Sequence, residues 1–161
     1  MDSKFESEGE CAGFKWKVLI NHMGYRCGYV CIPVGHPWHG RRTEDIDASV
    51  HGGLTFAKPV EKHKHLETGY WIGFDCAHGG DNPDPKHMTP EIEFGHEMAK
   101  QFVKEVLNKV NKGMGDRFQQ HIDKGGKVRS RMYVEMNCKN LCGQAREAVH
   151  EKDESRKTGE K

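Results

Sequence analysis

The sequence lacks long hydrophobic runs, a strong net charge and the residue pattern expected of a secretory leader. None of its 161 residues belong to a continuous apolar stretch of the roughly 18–20 residues that a membrane span requires. No basic segment followed by an apolar core and a cleavage site is present. The 25 basic residues balance 24 acidic ones, and the net charge of +1 argues against broad electrostatic binding to nucleic acid. We therefore expect a cytoplasmic protein without a membrane partner.

Closely paired cysteines are also lacking. The six cysteines include no pair with the two-residue gap of a zinc knuckle or a redox motif. Without a secretory signal, free thiols in a reducing compartment are the expected state.

Histidine is abundant, with eleven residues, and seven of them fall within residues 35–87. The same part of the chain is rich in glycine, including the pairs Gly52-Gly53 and Gly79-Gly80. Histidine is the side chain whose charge and ligand capacity are most easily used near neutral pH. The pattern predicts a site built from loops on a scaffold that the two ends of the chain supply.

The first half of the chain has the alternation of a sheet and the second half the periodicity of helices. We predict strands over 14–21, 25–32, 46–51 with 54–56, and 70–76. Thr89-Pro90 predicts a helix start, and apolar residues then recur every four positions from Phe94 to Val110. A second helical face begins after Arg131, and 113–130 is predicted to be a connection with a short helix. Both apolar stripes are interpreted as core.

The expected fold class is α+β, with an antiparallel sheet from the N-terminal half and C-terminal helices packed on one face. We predict a flexible leader over 1–12, a single domain over 13–150 and a disordered charged tail over 151–161.

Three glycine- and histidine-containing segments lie at predicted strand ends. They are Gly35 to Gly40 (GHPWHG), Val50 to Phe56 (VHGGLTF) and Gly73 to Asp81 (GFDCAHGGD). Together with the hairpin strand Gly28-Tyr29-Val30, these motifs resemble a family of small, mostly uncharacterised phage and prophage proteins. The resemblance covers about residues 14–85 and, loosely, the final helix. It implies a phage accessory protein in the cytoplasm of a bacterial host, and it brings no activity with it.

The chemistry is therefore predicted from residue types. His51, Asp75 and His78 are the candidate catalytic residues, and the same three with Asp81 are candidate ligands for Zn²⁺, Mn²⁺ or Fe²⁺. A metal-free alternative uses a histidine base oriented by Asp75, with Cys76 or Thr55 as nucleophile. The candidate substrate contacts are His36, Trp38, His39, Gly52, Gly53 and Thr55.

These residues fit three functions. The first is a small hydrolase, metal-assisted or not, that acts on a nucleotide-like or other small polar substrate. The second is a non-catalytic protein that sequesters a host signalling nucleotide on glycine amides and histidines. The third is an inhibitor of a host protein, marked by an exposed apolar patch on the helix from Pro90. The sequence leaves the oligomeric state open.

Overall fold

The computed structural model describes residues 3–117 and 126–158, with the side chains in these ranges apart from 153 and 155–158. Its main feature is a five-stranded antiparallel sheet with the strand order β1-β2-β3-β5-β4. The strands are β1 (Lys4–Cys11), β2 (Phe14–Ile20), β3 (Arg26–Ile32), β4 (Phe56–Val60) and β5 (Gly69–Asp75). The remaining regular elements are β6 (Asp81–Asn82), α1 (Pro90–Val110), β7 (Lys127–Val128) and α2 (Arg131–Thr158), with short 3-10 turns at Thr43–Asp45 and Pro85–His87. The predicted α+β class is confirmed.

The core lies between one face of the sheet and α2, which crosses β1, β2 and β3. The predicted apolar face of α2 is confirmed, because its inward residues recur at helical spacing and are fully buried. They are Val134, Cys138, Leu141, Cys142 and Ala145. A smaller cluster of Leu19, Val60, Leu66 and Trp71 covers part of the opposite face. Full burial of one aliphatic side chain contributes about 1.5–3 kcal/mol, so Val134 and Leu141 together contribute about 3–6 kcal/mol to the packing of α2 on the sheet.

The prediction of a flexible leader is wrong for residues 4–11. They form the edge strand β1, which pairs antiparallel with β2 from Lys4 opposite Ile20 to Cys11 opposite Phe14. The strand has few apolar residues, but an edge strand needs mainly backbone hydrogen bonds. Glu6 adds an ion pair from β1 to the buried Arg26 on β3. Residues 1 and 2 lie outside the described ranges.

The predicted strand over 46–51 and 54–55 is also wrong. This segment is irregular, and the fourth strand begins at Phe56. Side chains of α2 take the place of a neighbouring strand: Gln144 binds both the amide and the carbonyl of Ser49, and Asn137 accepts the amide of His51. The alternation of residue types favours a β-strand, and it therefore predicted one here. It carries no information about side chains from a distant helix that can bind the backbone instead of a neighbouring strand.

Helix α1 begins as predicted, with Pro90 at its first position and the Thr89 hydroxyl accepting the amide of Ile92. Its predicted role in the core is wrong. None of its residues is buried, and Phe94, Phe102 and Val110 are 68%, 67% and 77% exposed. Of the helices that the structure describes, only α2 packs extensively on the sheet.

The last part of the chain is more ordered than predicted. Helix α2 continues through 151–158, where a disordered tail was expected, while 159–161 lie outside the described residues. In the predicted connection, residues 114–117 are helical and 127–128 form β7, and 118–125 lie outside the described ranges. Within 3–117 and 126–158, no helix has the length and apolarity needed to cross a membrane.

Candidate functional site

Five side chains from separate segments meet beyond the end of β5. His51 lies in the irregular segment before β4, His78 in the turn after β5, and Asp81 at the start of β6. Tyr133 belongs to the first turn of α2, and Arg129 lies between β7 and α2. The parallel pairing of Asp81 on β6 with Lys127 on β7 brings the segments that carry Asp81 and Arg129 together. The site therefore depends on both halves of the chain.

Asp81 is the centre of the group, and its side chain is 1% exposed. Its Oδ2 atom lies 2.6 Å from His51 Nε2 and accepts the backbone amide of His78 at 3.1 Å. Its Oδ1 atom accepts from Arg129 Nε at 2.6 Å. Burial by itself raises the pKa of a carboxyl, but the hydrogen bonds from Arg129, His51 and His78 outweigh burial and lower the pKa of Asp81. Asp81 is therefore an anion at neutral pH.

His51 is held by three hydrogen bonds. Besides the contact of Nε2 with Asp81, its Nδ1 lies 3.0 Å from the Tyr133 hydroxyl, and its backbone amide donates to Asn137. The guanidinium carbon of Arg129 lies 5.0 Å from the centre of the Tyr133 ring. Because each of these residues contacts another, the imidazole of His51 has a defined orientation.

His78 has an unused ring nitrogen. Its Nδ1 atom is buried and lacks a hydrogen-bond partner within the described residues, although Asp75 Oδ1 and Asp81 Oδ2 each lie 3.9 Å away. A buried polar atom without a partner costs about 1–3 kcal/mol. The His78 ring lies directly against Gly52, where a Cβ atom would overlap it. The glycine therefore sets the position of this histidine.

One ligand atom from each of His51, His78 and Asp81 lies within 4.8 Å of the others. Ligands on a tetrahedral ion with bonds of about 2.1 Å are separated by about 3.4 Å. The distances of 2.6 Å and 3.9 Å from Asp81 Oδ2 to the two histidines lie on either side of that value. Two imidazoles and one carboxylate are a donor set for Zn²⁺, Fe²⁺ or Mn²⁺ that leaves coordination positions open.

The groups around these three residues are the kind that orient metal ligands. A ligating histidine usually donates its other N–H to a neighbour, and a ligating carboxylate is itself hydrogen-bonded. Tyr133 is the neighbour of His51 Nδ1, and Arg129 binds the second oxygen of Asp81. His78 Nδ1, which has no hydrogen-bond partner within the described residues and lies 3.9 Å from Asp81 Oδ2, is the ring nitrogen that is free to act as a ligand.

The structure brings only some of the predicted site residues together. His51, His78 and Asp81 come together, as predicted for a metal site. Asp75 lies beside them, but its Oδ1 accepts the amide of Ala77 and it is outside the three-ligand group. Gly52 supports His78, whereas a Cβ on Gly53 would meet nothing within 4 Å, and the amide of Thr55 donates to Gly73 on β5.

The other predicted substrate contacts lie elsewhere. His36 is buried: its Nε2 donates to the carbonyl of Ala145, and its Nδ1 accepts the amide of Trp38, itself 7% exposed. Burial lowers the pKa of His36, so it is a neutral core residue. Ala145 is about 18 Å along α2 from Tyr133 at 1.5 Å per residue. His39 packs on Tyr70, at the opposite end of β5 from Asp75.

Cys76 is unsuited to the nucleophilic role considered from sequence. It is 2% exposed, and burial together with the charge of Asp81 raises its pKa to about 12. A thiol with this pKa is protonated at neutral pH and is a poor nucleophile.

Tyr133 and Arg129 were missed by the sequence analysis. Tyr133 lies at the start of an apolar helical face, and Arg129 lies in a polar stretch without a motif. The only signal was an aromatic hydroxyl in the first turn of a helix, which is common in core packing. The comparisons add no relative: no family model, curated protein or solved structure matches the chain.

Proposed function

We propose that the protein is a small metal-dependent hydrolase, with His51, His78 and Asp81 as ligands of one divalent cation. The observation that carries the proposal is the convergence of three ligand atoms around a buried His78 Nδ1 that has no partner among the described residues. Three protein ligands with open positions are typical of catalytic rather than structural sites. A bound cation of this kind lowers the pKa of a coordinated water to about 7 and so supplies hydroxide.

The expected substrate is a small polar anion such as a phosphoester. Arg129 supports this, because it is 25% exposed at the side chain and uses its Nε on Asp81, and within the described ranges its other guanidinium nitrogens have no hydrogen bond to the protein. A guanidinium fork beside a cation favours phosphate oxygens. His78 and Asp75, about one-third exposed, make the site accessible.

A second candidate uses the same residues without metal. With Asp81 ionised, His51 donates from Nε2 to the carboxylate and accepts the Tyr133 hydroxyl at Nδ1. This arrangement would make His51 a base that activates Tyr133. The observation in its favour is the 3.0 Å contact between the hydroxyl and Nδ1.

The test is metal analysis of the full chain, followed by titration of EDTA-treated protein with Zn²⁺, Mn²⁺ and Fe²⁺. We expect one bound ion per chain. His78→Ala should weaken binding at least 100-fold, and Tyr133→Phe should weaken it about 10-fold through the loss of support to His51. His150→Ala is the matched control, because this exposed histidine lies about 25 Å along α2 from Tyr133.

Turnover is then measured on phosphoesters and nucleotides with and without the ion. Metal-dependent cleavage supports the proposal. Cleavage that survives EDTA and is abolished by Tyr133→Phe supports the metal-free candidate instead. Binding without cleavage would assign the protein to the sequestering class. Absence of both metal and turnover would refute the proposal. The phage setting and the cytoplasmic location stay predictions that rest on the motif resemblance and the composition.

A further inference from the structure

Helix α1 has a half-buried side that is mainly polar, with Ile92 and Leu107 as its apolar residues, and an apolar side that is exposed to solvent. A cavity of about 300 Å³ lies between α1 and the pair of strands β6 and β7. On the helix side it is lined by the polar residues Glu93, His96, Glu97 and Lys100. Farther along, Lys104 pairs with Asp116 at 3.1 Å, and Asn108 accepts the amide of Gly115. Within the described ranges, the polar side therefore makes these contacts with the rest of the chain. This orientation is the reverse of that of an ordinary surface helix.

The outward side is a continuous apolar surface, which we call the α1 face. It consists of Phe94, Met98, Phe102, Val106 and Val110, each at least 40% exposed. Gly95 and Ala99 lie among these side chains, and a Cβ on Gly95 would meet nothing within 4 Å. Small residues at these positions allow another helix to approach closely.

The charges within the α1 face favour one orientation of a partner. Glu91 and Lys109 are 18 residues apart, which is five full turns, so both lie on the same line along the helix. At 100° per residue, this line runs between Met98 and Phe102. Along this line, one end of the face is therefore acidic and the other basic. Glu105 lies about 40° to one side of the line and accepts a hydrogen bond from Gln101 of the same helix. The face is complementary to itself only when a copy runs in the opposite direction.

We propose that the α1 face binds the α1 face of a second copy of this chain, with the two helices antiparallel about residue 100. In this arrangement Met98 lies opposite Phe102 of the second copy, and Glu91 lies opposite Lys109 at both ends. A parallel arrangement would place Glu91 against Glu91 and Lys109 against Lys109. The two-fold symmetry is that of the commonest homodimers. The proposal is independent of the metal site.

The area is sufficient for a reversible dimer. With about 100 Å² of exposed surface for each large apolar residue, the face offers about 500–600 Å² per chain and about 1,000–1,200 Å² per pair. This value is at the low end for specific interfaces. An apolar patch of this size is at the upper limit for a monomer.

The experiment is sedimentation equilibrium of the full chain over a range of concentrations. We expect a monomer–dimer equilibrium for the wild type. Phe102→Glu should give a monomer with an unchanged circular dichroism spectrum, because Phe102 is 67% exposed and supports no core. Lys64→Glu, a charge reversal in an exposed loop, is the control and should leave the dimer intact.

Charge reversals test the orientation. Glu91→Lys or Lys109→Glu alone should raise the dimer dissociation constant about 10-fold, since each change replaces two attractions by two repulsions. The double variant should restore the wild-type value. A wild type that is monomeric at all concentrations would refute the proposal, including one whose α1 face binds lipid vesicles instead. Dimerisation unaffected by Phe102→Glu would place the interface elsewhere, and single reversals without effect would exclude the antiparallel arrangement.

Discussion

Replacing Gly52 by alanine tests whether this residue positions His78 in the proposed metal site. Gly52 has φ +66°, a conformation that costs a residue with a Cβ about 1–2 kcal/mol. The new methyl group would also overlap the His78 ring. Because His78 would have to move away from His51 and Asp81, we expect metal affinity to fall about 10–100-fold, the range found when ligand orientation is disturbed.

Gly53→Ala is the matched control for this change. Gly53 has φ +86°, so alanine carries a similar backbone cost there, but its methyl group would meet nothing within 4 Å. Both variants should therefore lose about 1–2 kcal/mol of unfolding free energy, and only Gly52→Ala should also lose metal affinity.

The assays are thermal or urea unfolding of the metal-free chain and titration with the preferred ion. Equal metal affinity in the two variants would refute the reasoning, whether both remained at the wild-type value or both fell together. In the first case His78 would not be a ligand that Gly52 positions. In the second case the loss would come from backbone strain alone.

Two further predictions concern acid stability and thiol reactivity. Hydrogen bonds from the Arg26 side chain and the Lys86 backbone amide outweigh burial and lower the pKa of Asp84. The contribution of the Asp84 carboxylate to the free energy of unfolding is therefore complete above about pH 4, and it is lost as the pH falls through the lowered pKa of the folded protein. Asp84→Asn should lower the free energy of unfolding by about 1–2 kcal/mol at pH 7, with the difference shrinking below pH 4; a constant difference in urea titrations from pH 7 to pH 2.5 would contradict this. Burial raises the pKa of Cys76 to about 12, so its thiol is protonated at pH 8. Iodoacetamide at pH 8 should therefore label the half-buried Cys11 of the folded chain and leave Cys76 unmodified, as measured by mass spectrometry. Rapid labelling of Cys76 would contradict its burial.

The strands that follow a clear residue pattern were predictable, with small shifts at their ends. β2, β3 and β5 combine apolar or β-branched residues with turns at both ends, and these features are local. β1 was missed because an edge strand can be polar, and 46–55 was wrongly predicted because Gln144 and Asn137, nearly a hundred residues away, bind its backbone. Helix α1 was predicted correctly as a helix and wrongly as core. Periodicity shows that a helix has an apolar side but does not show what that side faces.

The candidate site shows the same division. The glycine and histidine motifs were sufficient to place His51, His78 and Asp81 on the list of candidates, because imidazole and carboxylate groups are the ones that can bind a metal ion or a proton near neutral pH. The motifs also selected His36 and Trp38, which are core residues. The sequence does not distinguish a histidine whose two ring nitrogens are hydrogen-bonded to the backbone, such as His36, from one with a free ring nitrogen. Tyr133 and Arg129 had no local signal. Their role exists only because α2 and β7 are brought to the end of β5.

The sequence by itself determined the class of the fold, the main strands, the start of α1, the buried side of α2 and the short list of chemically capable residues. These properties depend on spacing within one element. The tertiary structure alone decided which histidines share a site, which carboxylate lies between them and which apolar side is left in solvent. These properties depend on contacts between segments far apart in the chain, among them the packing of α2 on the sheet and the pairing of β6 with β7.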